Sequence, residues 1–252
     1  MSLSIDINCD LGESYGRYQI GSDDIVFPLI TSANIACGFH GGDPLHIERT
    51  IKTAIKHEVQ IGAHPGYPDL MGFGRRAMQI PAEELKAIVR YQIAAIKGLT
   101  ESLGGQVRYV KPHGALYNTM ASNRKEAETV AEAILSMDEH LAIMGLAGSH
   151  VGEIVRQKGG RFIAEAFADR RYEPDGKLRS RNKQYSVLEN PSDVARQILS
   201  IARDQQVEAY DGSMLFLQAD SICIHGDNPK VENLLATISS VLAKAGISKK
   251  PF

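Results

Sequence analysis

The sequence predicts a distorted seven-unit (β/α) barrel, TIM-barrel-like, with residues 1–252 as one domain. Three observations predict it. Strand patterns alternate with amphipathic helix patterns seven times along the chain, which implies parallel strands joined by right-handed crossovers. Several strands carry a polar set on one face: Asp6, Asn8 and Asp10; Tyr109, Lys111 and His113; Glu165 and Asp169; Ser221, Cys223, His225 and Asp227. An open parallel sheet is covered on both faces and reads as near-continuous apolar strands, whereas a barrel can turn a polar set into a shared lumen. Finally, six of the seven strands finish in an ionisable residue, at the edge where barrel enzymes do their chemistry. A length of 252 residues, 43% hydrophobic and 23% charged, suits one such domain.

The elements follow in order. Residues 5–10 alternate Ile5, Ile7 and Cys9 with the polar set, giving strand one. A turn over 11–17 and a helix over 23–31 come next. Strand two is 34–39; glycines 38, 41 and 42 then permit a tight turn and close approach of backbone to a ligand. Asp43-Pro44 starts a helix over 45–58, with Asp as N-cap and Pro at the first position. Strand three, 61–64, runs into a loop over 65–76 rich in turn formers. Pro81 opens a helix to about 103, stopped by Gly104-Gly105. Strand four is 107–113 and its helix 122–137; strand five is 140–146 and its helix 149–157; strand six is 161–169. Residues 170–183 form a long irregular stretch, and connections of that length are often functional lids. Asn190-Pro191 caps a helix to about 206, residues 214–217 form a hairpin arm, and 221–225 is strand seven. Asn228-Pro229 caps a last helix ending near Gly246.

Composition excludes some functions. A net charge of -2 makes no case for nucleic acid or a membrane surface. No apolar run has the length of a membrane span, and the opening residues lack the pattern of a signal peptide. Three cysteines without CxxC or zinc spacing favour a reduced, cytoplasmic setting.

The strand ends supply the candidate catalytic set: Asp10, His40, His64, Lys111, His113, Asp169, His225 and Asp227. Any one of these reads more readily as a satisfied core residue than as a functional one; their recurrence at one topological position is what makes a site. His46, His57, His140 and His150 lie in or beside helices and read as surface or structural. Cys9 and Cys37 read as small core residues. Cys223 shares the face of His225, but nothing in the sequence lowers its thiol pKa, so packing is preferred over nucleophilic attack. Arg75, Arg76, Arg170, Arg171, Lys177, Arg179, Arg181 and Lys183 fall in the two long loops on one rim, where guanidinium groups suit a carboxylate or phosphate. Asn8, Asn34, Arg75, Arg76, Arg170 and Arg181 are the substrate-binding candidates. There is no GxxxxGK[ST], and no GxGxxG follows a strand, so no recognisable nucleotide cradle is present.

Seven blocks together resemble the LamB/YcsF family: residues 6–13 (DINCDLGE), 32–44 (SANIACGFHGGDP), 62–69 (GAHPGYPD), 72–76 (GFGRR), 110–118 (VKPHGALYN), 165–170 (EAFADR) and 225–229 (HGDNP). Cys9 stands where the family tends to have a smaller residue, on the face away from the polar set. The resemblance implies ATP-dependent hydrolysis of 5-oxo-L-proline (pyroglutamate) to L-glutamate, with ATP as co-substrate and with B and C subunits of a 5-oxoprolinase as partners. It also implies a barrel related to glycoside hydrolase and deacetylase barrels, in which an Asp and two His commonly hold a divalent metal; Asp10, His40, His64 and His113 are the residues here that could do so. Two other readings stay open: a metal-dependent amide or deacetylase-type hydrolase without ATP, and a non-catalytic substrate-binding protein.

Overall fold

The computed structural model describes residues 3–21, 23–224, 226 and 231–252. Its strands are β1 (Ser4–Leu11), β2 (Ser32–Ala36), β3 (Gln60–His64), β4 (Val107–Val110), β5 (Ala142–Leu146), β6 (Phe162–Phe167), β7 (Gln206–Glu208), β8 (Met214–Phe216), β9 (Ser221–Ile224) and β10 (Ser248–Lys249). Its helices are α1 (Asp23–Val26), α2 (Pro44–Lys56), α3 (Ala82–Ser102), α4 (Gly114–Ser122), α5 (Arg124–Leu135), α6 (Val151–Gln157), α7 (Pro191–Leu199) and α8 (Val231–Lys244). Strands β1 to β6 and β9 pair in sequence, all parallel, and β9 pairs back onto β1, closing a seven-stranded barrel. The predicted architecture is the one found.

Alternation along the strands separates two interiors. On β1, Ile7, Cys9 and Leu11 point outward and are buried in the apolar layer under the helices. Asp6, Asn8 and Asp10 point into the lumen, where the register sets Asp6 beside Ser221, Asn8 beside Cys223, and Asp10 beside Asn34. The lumen is therefore polar, and buried polar groups persist only when paired. Its floor is apolar: Tyr109, Ala142, Met144 and Ile163 cluster there, and Phe252 packs edge-on against Tyr109 with ring centroids 5.2 Å apart. β10 lies parallel to the start of β1, Ser4 beside Ser248, and brings Phe252 to that floor.

Local signals place α2 as expected: Asp43 accepts from the N–H groups of Leu45 and His46 at 2.9 and 3.1 Å, with Pro44 in the first turn. Other expectations need correction. The helix expected over 122–137 is two helices, and the first begins at Gly114, directly after His113. Asn123 divides them by taking an extended backbone (φ -121°, ψ 106°) and capping α5 through Lys125 N and Glu126 N. Gly114 has φ +53°, so a residue that reads as a turn former serves as the sharp entry to α4. The helix expected to reach 206 leaves α-geometry after Leu199 and ends in one π turn, Ser200–Asp204. The hairpin is β7 with β8, antiparallel; β10 is an addition to the expected elements. His225, Asp227 and the Asn228-Pro229 cap lie outside the described residues.

Candidate active site

The mouth at the carboxyl ends of the strands gathers Asp10 near the end of β1, Glu13 just beyond it, His40 after β2, His64 at the end of β3, and Lys111 and His113 after β4. All are buried. Main-chain bonds from Lys111 N to Ala63 O (2.9 Å) and from His113 N to Pro65 O (2.8 Å) continue the β3–β4 ladder past its last strand residues, which holds both side chains rigidly at the rim.

A hydrogen-bonded ladder supports the site from below. Asp6 accepts from Thr31 and Ser32 hydroxyls at 2.5 and 2.7 Å and from Ser221. Asn8 Nδ2 donates to Ser221 Oγ at 2.7 Å. Asn34 Nδ2 donates to Asn8 Oδ1 and Asp10 Oδ1, both at 2.7 Å, and Asn34 Oδ1 accepts from the Tyr109 hydroxyl at 2.6 Å. Lys111 Nζ lies 2.9 Å from Asp10 Oδ1, 2.8 Å from Glu165 Oε1, 3.1 Å from Cys223 Sγ and 3.2 Å from Asn8 Oδ1. Burial opposes the Lys111 charge, but Asp10, Cys223 and Glu165 outweigh it and hold the ammonium well above its ordinary range. Cys223 is fully buried and burial pushes its thiol far up, so it is a packing residue and not a nucleophile.

Above the ladder sit three imidazoles. His40 and His113 stack at 3.7 Å between centroids, 3° from parallel, and His64 stands edge-on to both. Burial, reinforced by the neighbouring histidines, holds His40 and His113 well below the ordinary imidazole range, so both are neutral. Their partners define the tautomers. His64 Nδ1 is 2.6 Å from Lys111 O, and His113 Nε2 is 2.8 Å from Phe73 O. A carbonyl only accepts, so each of these nitrogens carries the hydrogen. His113 Nδ1, the bare nitrogen of a neutral ring, then faces His64 Nε2 at 3.0 Å. Glu13 Oε1 lies 3.1 Å from His40 Nε2 and 3.5 Å from His113 Nδ1, and Asp10 Oδ2 lies 3.4 Å from His64 Nε2.

Ligand atoms of Glu13, His40, His64 and His113 all fall within 4.8 Å of one another. Imidazole nitrogens gathered round a buried carboxylate can hold a cation between them, and the outer nitrogens of His64 and His113, tied to carbonyls, have the usual support of metal-binding histidines. The donor set fits a divalent metal of the zinc type. It differs from the expected set, because Glu13 takes the place expected for Asp10.

A cavity of about 420 Å³ opens over this cluster. Asp10, His64, Lys111 and His113 form its inner wall, and Arg75, Arg170, Arg181 and Lys177 its outer wall. Arg170 is only 6% exposed; it donates to Arg179 O at 2.6 Å and Ser186 O at 3.4 Å, and burial, followed by Arg181, lowers its pKa to about 10. A buried guanidinium paired with carbonyls favours an arriving anion.

The remaining sequence candidates are placed otherwise. Arg76 is paired with Asp69, its side chain 68% exposed, and is not part of the cavity lining. Asn8 and Asn34 are fully buried beneath the wall and do not line the cavity. Asp169 is buried at the end of β6, also off the cavity lining. His40 lies behind His113, with no exposure. Three site residues escape a reading of the sequence. Glu13 falls past the end of the strand pattern, where alternation carries no information. Glu165 reads as a lumen residue without a role. Tyr109 likewise reads as one of the polar lumen set of its strand, without a role of its own.

Comparison with known proteins places the whole chain in a family. The LamB/YcsF family profile matches residues 5–252. A protein of Photorhabdus laumondii, named as the A subunit of 5-oxoprolinase, is 49% identical over 248 residues, covering 98% of each chain. The structure of a lactam utilization protein from Thermus thermophilus is 40% identical and superposes with a TM-score of 0.94 over 99% of this chain and 100% of that one. The catalytic domain of a peptidoglycan N-acetylglucosamine deacetylase from Eubacterium rectale, 10% identical, shares the fold with a TM-score of 0.55, covering 100% of this chain and 89% of its own. From its first strand to its last residue, the chain belongs to the LamB/YcsF family.

Proposed function

We propose that this chain is the A subunit of a 5-oxoprolinase and carries out the hydrolytic step of the ATP-dependent conversion of 5-oxo-L-proline to L-glutamate, in the cytoplasm, together with B and C subunits. The observation that carries the reading is the cavity, whose inner wall holds a carboxylate and imidazoles and whose outer wall holds guanidinium groups. A small cyclic amide with a carboxylate fits both walls. The names borne by the relatives support the same substrate.

An unstrained five-membered lactam is a poor electrophile. Transfer of a phosphoryl group from ATP to its carbonyl oxygen makes that carbon open to water. Arg170, Arg75 and Arg181 hold the substrate carboxylate and present the ring to the inner wall. Asp10 Oδ2 takes a proton from the attacking water while Asn34 and Lys111 occupy Oδ1. The ring C–N bond then breaks, the nitrogen taking up the proton that Asp10 received from the water, and a second water splits the resulting acyl phosphate into glutamate and phosphate. Lys111 serves as counter-charge to Asp10 and not as oxyanion donor, because its three N–H groups already face four acceptors within 3.2 Å. Glu13, His40, His64 and His113 would hold a divalent metal; when bound it would supply Lewis acidity toward a carbonyl oxygen or water.

The test is product formation. Incubated with its partner subunits, ATP and 5-oxoproline, the wild-type chain yields glutamate and phosphate together; Asp10→Asn and His113→Ala yield no glutamate while remaining folded by circular dichroism. Wild-type rates from both variants would remove them from the chemistry, and cleavage by the partners alone would leave this chain a binding role only. A second reading, a metal-dependent amide hydrolase that needs no ATP, is favoured by the four-donor cluster; glutamate formed with ATP omitted would select it.

A further inference from the structure

Asp10 lines the cavity, and its Oδ1 is held from below. Asn34 Nδ2 reaches Oδ1 at 2.7 Å and Lys111 Nζ reaches it at 2.9 Å. Asn34 is fully buried and off the cavity lining, so no substrate touches it. We infer that Tyr109 and Asn34 are a pair of positioning residues that act through Asp10: the Tyr109 phenol locks the Asn34 amide in one orientation, and the amide aims the carboxylate. The inference rests on the reading of Asp10 as the group that takes the proton from water.

The lock follows from counting donors and acceptors. A carboxamide can turn over with almost no change of shape, so only its partners decide which edge carries oxygen. On one edge of Asn34 the Tyr109 hydroxyl donates to Oδ1 at 2.6 Å. On the other edge stand two acceptors, Asn8 Oδ1 and Asp10 Oδ1, both 2.7 Å from Nδ2. Turned over, Asn34 would set its oxygen against the carboxylate oxygen. Asn8 cannot turn to compensate without surrendering its own bond to Ser221 at 2.7 Å. Burial keeps the phenol protonated, and thus a donor.

The ring that carries this hydroxyl has a prepared seat. Gly62 stands opposite Tyr109 in the β3–β4 register, and a Cβ at position 62 would lie 2.3 Å from ring carbons of Tyr109. Only a glycine lets the ring cross the lumen over β3 to reach Asn34 on β2. From the floor, Phe252 packs edge-on against the same ring. Residues of four strands therefore converge on the direction of one amide, a degree of definition that a packing role alone does not need.

The test uses the chain with its partner subunits, ATP and 5-oxoproline, with rates normalised to folded protein. Tyr109→Phe removes one oxygen and keeps the ring. It is expected to lower kcat about tenfold, the upper end of the worth of one hydrogen bond between neutral groups, with KM for 5-oxoproline unchanged within about twofold. Asn34→Ala is expected to lower kcat further, again without raising KM. A purely structural pair would reduce the folded fraction and leave kcat per folded molecule intact; that result for Tyr109→Phe overturns the inference, as does a loss confined to KM. Asp10→Asn run in parallel separates the two readings. Should it be inactive while Tyr109→Phe is unimpaired, the positioning pair falls alone; should it retain the wild-type rate, the role of Asp10 falls and takes the pair with it.

Discussion

Glu13 shows how much one residue's meaning depends on its neighbours. It lies three positions beyond Asp10, in a turn, yet its carboxylate meets His40 and His113 in the buried cluster. The expected metal set has Asp10 in its place. Asp10 Oδ1 is held by Asn34 and Lys111, and it is the Glu13 carboxylate that falls in the cluster able to hold a metal. Protein purified without chelator is expected to contain about one divalent ion per chain by elemental analysis. Glu13→Ala should weaken metal retention by about tenfold or more, since losing even an outer partner of a ligand costs that much. A metal-free chain with full activity would leave the cluster to acid–base work alone. The stacked, neutral His40 and His113 fit either role, because neither imidazole can charge without opposing the other.

At the scale of the element, what is legible is what is local. α2 begins where Asp43-Pro44 indicates, because a cap and its N–H groups lie within three residues. Asp43 also accepts from Gly16 N at 2.8 Å, tying the β1 loop to the helix. Asp43→Ala should therefore cost about 1–2 kcal/mol, near the upper range for an N-cap, read as a lower denaturant midpoint with an unchanged slope. An unchanged midpoint would mean the cap is replaced by water at no cost. α4 is illegible for the complementary reason. Its first residue is a glycine at positive φ, and its start is secured by a distant bond, Ala115 N to Gly74 O at 2.8 Å, that no pattern within the segment announces. β10 escapes notice likewise, since a two-residue strand exists only by virtue of β1 beside it.

The barrel as a whole carries a pH signature. Asp6 sits at the bottom of the lumen ladder, held by hydroxyls from β1's neighbours on both sides, Ser32 of β2 and Ser221 of β9. Burial raises its pKa from 3.8 to about 6 against those hydrogen bonds. The folded state thus binds the proton more tightly than the unfolded state. Between those two values, stability falls as pH rises, and above the folded pKa the full loss, on the order of 3 kcal/mol, has been taken. Asp6→Asn should lack this decline, so the variant's stability relative to wild type should increase across about pH 4 to 6 and then level off. A difference between the two chains that is flat over that window would place the Asp6 proton elsewhere. No helix among the described residues is long and apolar enough to cross a membrane.

By itself the sequence determined the βα alternation, the inward polar faces of the strands, and the rim on which Asp10, His64, Lys111 and His113 meet. Those are properties of period and of order along the chain, and strand ends in a barrel have only one place to go. Tertiary structure alone decided which polar groups touch: that Glu13 joins the histidines, that Asp69 turns Arg76 outward, that Asn8 and Asn34 lie under the cavity wall and not in it, and that Lys111 is spent on two carboxylates. Such choices are made between residues from seven to more than a hundred positions apart, at distances of 2.6–3.5 Å, where hydrogen-bond strength varies steeply with geometry. Alternation names the face on which a side chain lies, and only the closed barrel sets its partner.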